Sequence, residues 1–120
     1  MIKGIGCDII AISRVDKVLR RFQDKFLTRV FTKEEIALGS ALPMPKRIAH
    51  FAKRFAAKEA IAKALGYGIG SSFGFKDCMI LNAQSGAPYV VFDPIRDLYQ
   101  VHLSISDEKD YAIAYVVIEE

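Results

Sequence analysis

The chain's 120 residues, 52% of them hydrophobic, suffice for one domain with a real core and leave no room for a second. A formal net charge of +3 is too slight to point to nucleic acid; no apolar run approaches the roughly 18 residues of a membrane span, and Met1-Ile2-Lys3-Gly4 lacks the apolar stretch of a signal peptide. Cys7 and Cys78 lie far apart, which argues against a CxxC metal site or a disulfide framework and suits a reducing cytoplasm. The charge is nevertheless uneven: residues 1–63 hold 14 bases against 6 acids and residues 64–120 hold 3 against 8, so the amino-terminal half should meet an anionic partner.

In chain order, residues 2–10 alternate Ile5, Cys7 and Ile9 with Gly4, Gly6 and Asp8, the period of a strand with one bulky and one bare face, ending near Asp8. Ser13 is placed to cap a helix whose inward stripe is Val15, Val18, Leu19 and Phe22, leaving Arg14, Lys17, Arg21 and Lys25 outside as a basic face. Thr32-Lys33-Glu34-Glu35 has capping-box spacing for a short helix that should stop before Pro43-Met44-Pro45. A long helix follows from about Lys46 to Leu65, with Gly66 as its terminator, and Tyr67-Gly68-Ile69-Gly70 opens a flexible loop. Strands are expected over 78–81 and 89–92, and over 101–106 paired with 111–118, with a short helix over 94–100. Helices early and antiparallel strands late make an α+β domain, without repeats or a linker.

The residue that stands out chemically is Glu59. At about 100° per residue it falls inside a stripe of Ile48, Ala52, Phe55 and Ala56, and the opposite side of the helix, with Ala57, Ile61 and Ala64, is apolar too. An enclosed carboxylate needs a partner. Lys63, four residues on, offers an ordinary helical ion pair, and a metal ion would be a stronger partner. Asp8, at the end of a strand whose glycines leave room for a ligand, is either a second acid for such a site or a cap for the following helix. Two carboxylates and a lysine are what Mg²⁺ with a pyrophosphate would need.

Several other features read as structural. The glycine loop after the long helix is no dinucleotide or Walker fingerprint, since those precede a helix. Arg54 and Lys46-Arg47 read as solvated surface unless a phosphate lies beside the helix. His50 and His102 have no companion at metal or triad spacing and read as structural. A nucleic-acid module gripping through the basic half would want aromatics interleaved on that face, and none is there.

Taken together, Gly4-Ile5-Gly6-Cys7-Asp8-Ile9, the segment Arg54-Phe55-Ala56-Ala57-Lys58-Glu59-Ala60 with Lys63-Ala64-Leu65-Gly66, and Leu103-Ser104-Ile105-Ser106 resemble the holo-acyl-carrier-protein synthase family, over nearly the whole chain. The resemblance implies the 4′-phosphopantetheinyl transferase fold and transfer of 4′-phosphopantetheine from coenzyme A to a serine of acyl carrier protein, in fatty acid biosynthesis. It further implies homotrimers that bind coenzyme A between neighbouring subunits; the residues themselves point to the cytoplasm, with no nucleic-acid or membrane partner expected. On this chain the family's roles fall on Asp8 and Glu59 as magnesium ligands, on Glu59 and Lys63 as catalytic groups with Lys63 touching phosphate, and on Arg54, Gly66 and Pro88 in the coenzyme A cleft. Residues 14–25, with Arg14, Lys17, Arg21 and Lys25, match the carrier-binding helix. Asp107 follows the Ser-x-Ser strand where the family usually has a histidine, so no phosphate contact is carried over to it. A coenzyme A-dependent acyltransferase is the rival enzyme, and it should need no metal.

Overall fold

In the computed structural model, which describes residues 1–66, 73–92 and 98–120, the chain runs β1 (Ile2–Ala11), α1 (Ile12–Phe22), α2 (Asp24–Val30), α3 (Lys33–Ser40), α4 (Lys46–Leu65), β2 (Cys78–Asn82), β3 (Pro88–Phe92), β4 (Gln100–Asp107) and β5 (Tyr111–Glu119). The class is α+β, as expected. β5 lies between β1 and β4 in an antiparallel three-stranded sheet, and β2 and β3 form a separate hairpin. Pairing of β1 with β5 sets Asp8 opposite Ala114 and closes the two ends of the chain against each other.

α4 is the centre of the molecule. Its alanines favour helix, Gly66 ends it in the left-handed region at φ 88°, and buried residues occur all around it, from Ile48 and Phe51 to Ala60 and Ile61. One side meets β5 through the inward series Ala112, Ala114, Val116 and Ile118, while Tyr111, Ile113 and Tyr115 point outward with the strand's period of two. Beneath α3, Lys58 and Glu35 form an ion pair of 2.6 Å with both side chains fully buried. The Lys58 ammonium also donates to the carbonyls of Val30, Phe75 and Cys78, and Glu35 accepts from the Ile80 and Thr32 amides. One charged pair thereby joins α2, α3, α4 and β2. Glu35 is also the acid of the capping box predicted at Thr32, which is present.

Four local expectations change. β1 runs on to Ala11. Ser13 lies inside α1, whose N-cap is Ala11, a residue with no side-chain acceptor to offer, and the Ile12 amide donates to the Asp110 carbonyl instead. The expected helix across residues 14–25 is broken at Gln23, with φ 47°, so Lys25 belongs to α2. Phe22, expected in the inward stripe, is exposed. The loop expected at 67–70 and most of the helix expected over 94–100 lie outside the described residues, and Gln100 begins β4. Among the described residues no helix is long and apolar enough to cross a membrane.

Candidate active site

The bare face of β1 turns toward α4 and carries no room for a ligand. A Cβ on Gly6 would overlap the carbonyl oxygen of Ala60, and one on Gly4 that of Ala64. The glycines therefore exist for close approach of strand and helix backbone, which corrects the reading of that face as ligand space. Asp8 is the next residue on the same face, so the same approach delivers its carboxylate to the end of α4. There Lys63 Nζ donates to Asp8 Oδ1 at 3.1 Å and to the Cys7 carbonyl at 2.8 Å.

Asp8 thus caps no helix, and the ion pair that Lys63 makes is with Asp8 rather than with Glu59. Glu59, one turn before Lys63, is half-buried rather than enclosed. Its carboxyl pKa is pushed up, chiefly by burial and then by the Asp8 charge, with Lys63 opposing. Asp8, Glu59 and Lys63 are therefore brought together, and two acids that repel each other at a half-exposed edge are a place where a cation is welcome. Among the described residues no three or more His, Cys, Asp or Glu gather as a metal-holding group. A two-carboxylate donor set suits a hard cation that keeps waters and takes its other ligands from phosphate oxygens, not a zinc cage. Gly66, three residues beyond Lys63, is exposed at the helix end.

Arg54 stands elsewhere. Five residues before Glu59, it is turned by about 140° and set back by about 7.5 Å along the helix. It is 2% exposed, which corrects its reading as solvated surface, and its Nη2 donates to Oδ1 of Asn82 at the start of the β2–β3 turn. Burial pushes its pKa down and Glu35 pushes it up. Arg54 and Pro88 share a cavity of about 430 Å³ with Lys53, His50, Asn82 and Ile105. Lys53 is paired there with Asp107 at 3.2 Å. Of the neighbouring bases, Lys46 is exposed, whereas Arg47 Nε donates to the Leu42 carbonyl at 3.0 Å. His102 is exposed beside Glu119, while His50 is buried.

Sequence reasoning missed the burial of Arg54 and His50 and the Lys58–Glu35 pair. The available signal was a lysine in the middle of a helix apolar on every side.

Arg14, Lys17, Arg21 and Lys25 are all exposed, on α1 and α2. Beside them Val18, Phe22, Lys25, Phe26 and Arg29 line a groove of about 410 Å³, apolar within and basic at its edge.

Two acids and an ammonium at one end of a helix, with a cationic cavity on another of its faces, are the equipment of a protein that handles a substrate bearing more than one phosphate. The family model of the 4′-phosphopantetheinyl transferase superfamily matches residues 4–116. The chain is 47% identical over 119 residues to the holo-[acyl-carrier-protein] synthase of Ehrlichia canis, covering 98% of this chain and 94% of that one. Its fold superposes on a holo-(acyl-carrier-protein) synthase from Bacillus anthracis in complex with coenzyme A (3′,5′-ADP), with TM-score 0.89, 41% identity and coverage of 98% and 96%. The Helicobacter pylori holo-[acyl-carrier-protein] synthase in complex with coenzyme A gives TM-score 0.85, 36% identity and coverage of 96% and 99%. The chain belongs to the 4′-phosphopantetheinyl transferase superfamily and, within it, to the holo-[acyl-carrier-protein] synthases.

Proposed function

We propose that this chain, acting as one domain, transfers 4′-phosphopantetheine from coenzyme A to a serine of apo acyl carrier protein and releases adenosine 3′,5′-bisphosphate, the loading step of fatty acid biosynthesis. The observation that carries the reading is the meeting of Asp8, Glu59 and Lys63 where β1 abuts α4. Lys63 binds the pyrophosphate and holds charge that moves onto the leaving phosphate. Glu59 takes the proton of the attacking serine hydroxyl. The serine oxygen bonds to the phosphorus nearer the pantetheine, and the bond from that phosphorus to the bridging oxygen breaks, leaving its electrons on the departing bisphosphate. Asp8 and Glu59 would hold Mg²⁺, which when bound supplies positive charge against the pyrophosphate. Arg54 and Pro88 receive the nucleotide end of coenzyme A, and Gly66 leaves the helix end bare near Lys63.

Arg14, Lys17, Arg21 and Lys25 steer and register the carrier, whose recognition surface is acidic on this reading. The working form is a homotrimer. What supports it is the outer face of the sheet, where Ile5, Ile9, Tyr111, Ile113 and Tyr115 are each between 40% and 62% exposed, an apolar face that a neighbouring subunit would cover. Both cysteines are free, as suits the cytoplasm.

The test is the intact mass of apo acyl carrier protein after incubation with the protein, coenzyme A and magnesium. The expected result is a gain of one phosphopantetheine on the carrier, with adenosine 3′,5′-bisphosphate in solution. Acetylation of the carrier from acetyl-coenzyme A, with no phosphopantetheine gained, would replace the proposal with the acyltransferase reading.

A further inference from the structure

Arg54 belongs to the coenzyme A cleft on the family resemblance alone; the structure adds a neighbour to it. His50 lies one turn before Arg54 on α4, so the two side chains leave the helix on the same side, and both line the 430 Å³ cavity. His50 is 9% exposed and Arg54 2%. Around them polar groups are paired, Lys53 with Asp107, Arg54 Nη2 with Asn82 and Asn82 Nδ2 with the Gly86 carbonyl. Two buried atoms are not, His50 Nε2 and Arg54 Nε. An unpaired buried polar atom costs about 1–3 kcal/mol, and native proteins rarely keep one without a use.

The imidazole is also held in place. Its ring stands edge-on to Phe51, with centroids 5.4 Å apart at 89°, and the neighbouring Gly39 of α3 has no side chain there, since a Cβ would collide with the Phe51 ring and press on His50 Cδ2. Burial first, then the Arg54 and Lys53 charges, push the His50 pKa down to about 4, so the ring is neutral at ordinary pH. The ring is fixed and uncharged between two cations, and with its proton on Nε2 it offers one N–H there.

We propose that His50 is a specificity residue of this cavity, donating from Nε2 to an oxygen of the ribose 3′-phosphate of coenzyme A alongside Arg54. The inference rests on the transferase reading. That reading gives the pyrophosphate to Asp8, Glu59 and Lys63, on another face of α4, and the phosphate that remains on coenzyme A is the one on the ribose. A phosphate monoester in the cavity has the oxygens to satisfy both orphan atoms once the imidazole and guanidinium turn out to meet it, and Lys53 stands ready to exchange Asp107 for it.

The experiment compares KM for coenzyme A and for 3′-dephospho-coenzyme A, at saturating apo carrier, in the intact protein and in His50→Phe, His50→Gln and His50→Leu. His50→Phe keeps the ring packed on Phe51 and removes the donor. It should raise KM for coenzyme A about tenfold, leave kcat and the KM of the dephospho form within about twofold, and so cut discrimination about tenfold. His50→Gln, which restores an N–H, should recover most of the discrimination; His50→Leu reports the same loss should the phenylalanine variant fold poorly. An unmodified protein that transfers from neither cofactor removes the transferase reading and the inference with it. A protein that transfers normally, with the coenzyme A to dephospho-coenzyme A ratio unchanged in the variants, or with both KM values raised equally, overturns the inference alone.

Discussion

His50 illustrates what a single residue's surroundings decide. As a lone histidine at no metal or triad spacing it read as structural, and in the fold it is a buried base flanked by cations. Its pKa falls from 6.5 to about 4 because burial and the Arg54 and Lys53 charges all oppose the protonated form. Between those values the unfolded chain takes up a proton that the folded protein refuses, so stability falls as pH falls through this window and is unaffected above it. We expect thermal denaturation of the protein to lose about 2 kcal/mol more between pH 7 and pH 4.5 than that of His50→Phe. Equal losses in the two proteins would mean that His50 is not held neutral. Asp8, Glu59 and Lys63 were legible as candidates because acids inside apolar patterns are rare. Their partnership was not, since spacing offered Lys63 to Glu59 and the fold gave it to Asp8. Arg54 and Lys58 were illegible as buried groups for a related reason: periodicity registers polarity, and a buried cation is explained only by its acceptors, which come from residues 17–28 positions away in sequence.

At the scale of elements, most of the helices and strands announce themselves. The 20-residue α4 begins after Pro45 and stops at Gly66 because a proline breaker and a left-handed glycine bound an unbroken run of good helix formers. The break at Gln23 has no such signal, since a positive φ is not something a glutamine announces in sequence. The bare face of β1 was visible, and its meaning was not: the glycines are the contact surface for α4. Gly6→Ala should therefore destabilise the protein by about 3 kcal/mol, at or above the upper range for overpacking because the obstacle is backbone. In whatever remains folded, the transfer rate should fall as Asp8 is pushed from Lys63. Calorimetric melting and a transfer assay on the same preparation would check both; a variant as stable and active as its parent would show that the strand–helix approach is not what assembles the site.

Over the whole molecule, the α+β class and both hairpin pairings followed from alternation and turn residues, while the junction of β1 with β5 did not, because nothing local ties residue 8 to residue 114. That junction makes the continuous outer face on which the trimer proposal rests, with Cys7 opposite Tyr115 and Ile9 opposite Ile113. Tyr115→Glu places a charge in the middle of this face without touching the inward residues. Light scattering should then give the mass of one chain instead of three, with transfer activity reduced if coenzyme A binds between neighbouring subunits as the family resemblance implies. An unchanged mass would remove this face from the subunit contact.

The most direct test of the central claim, that the junction of β1 and α4 forms a metal-assisted phosphate centre, is a magnesium titration of the transfer rate after exhaustive chelation, in the parent protein and in Asp8→Asn and Glu59→Gln. The account predicts no transfer without the ion, full recovery on its return, and variants that recover only in part or need at least about tenfold more magnesium. Transfer that persists under chelation, with Asp8→Asn and Glu59→Gln matching the parent, would contradict it.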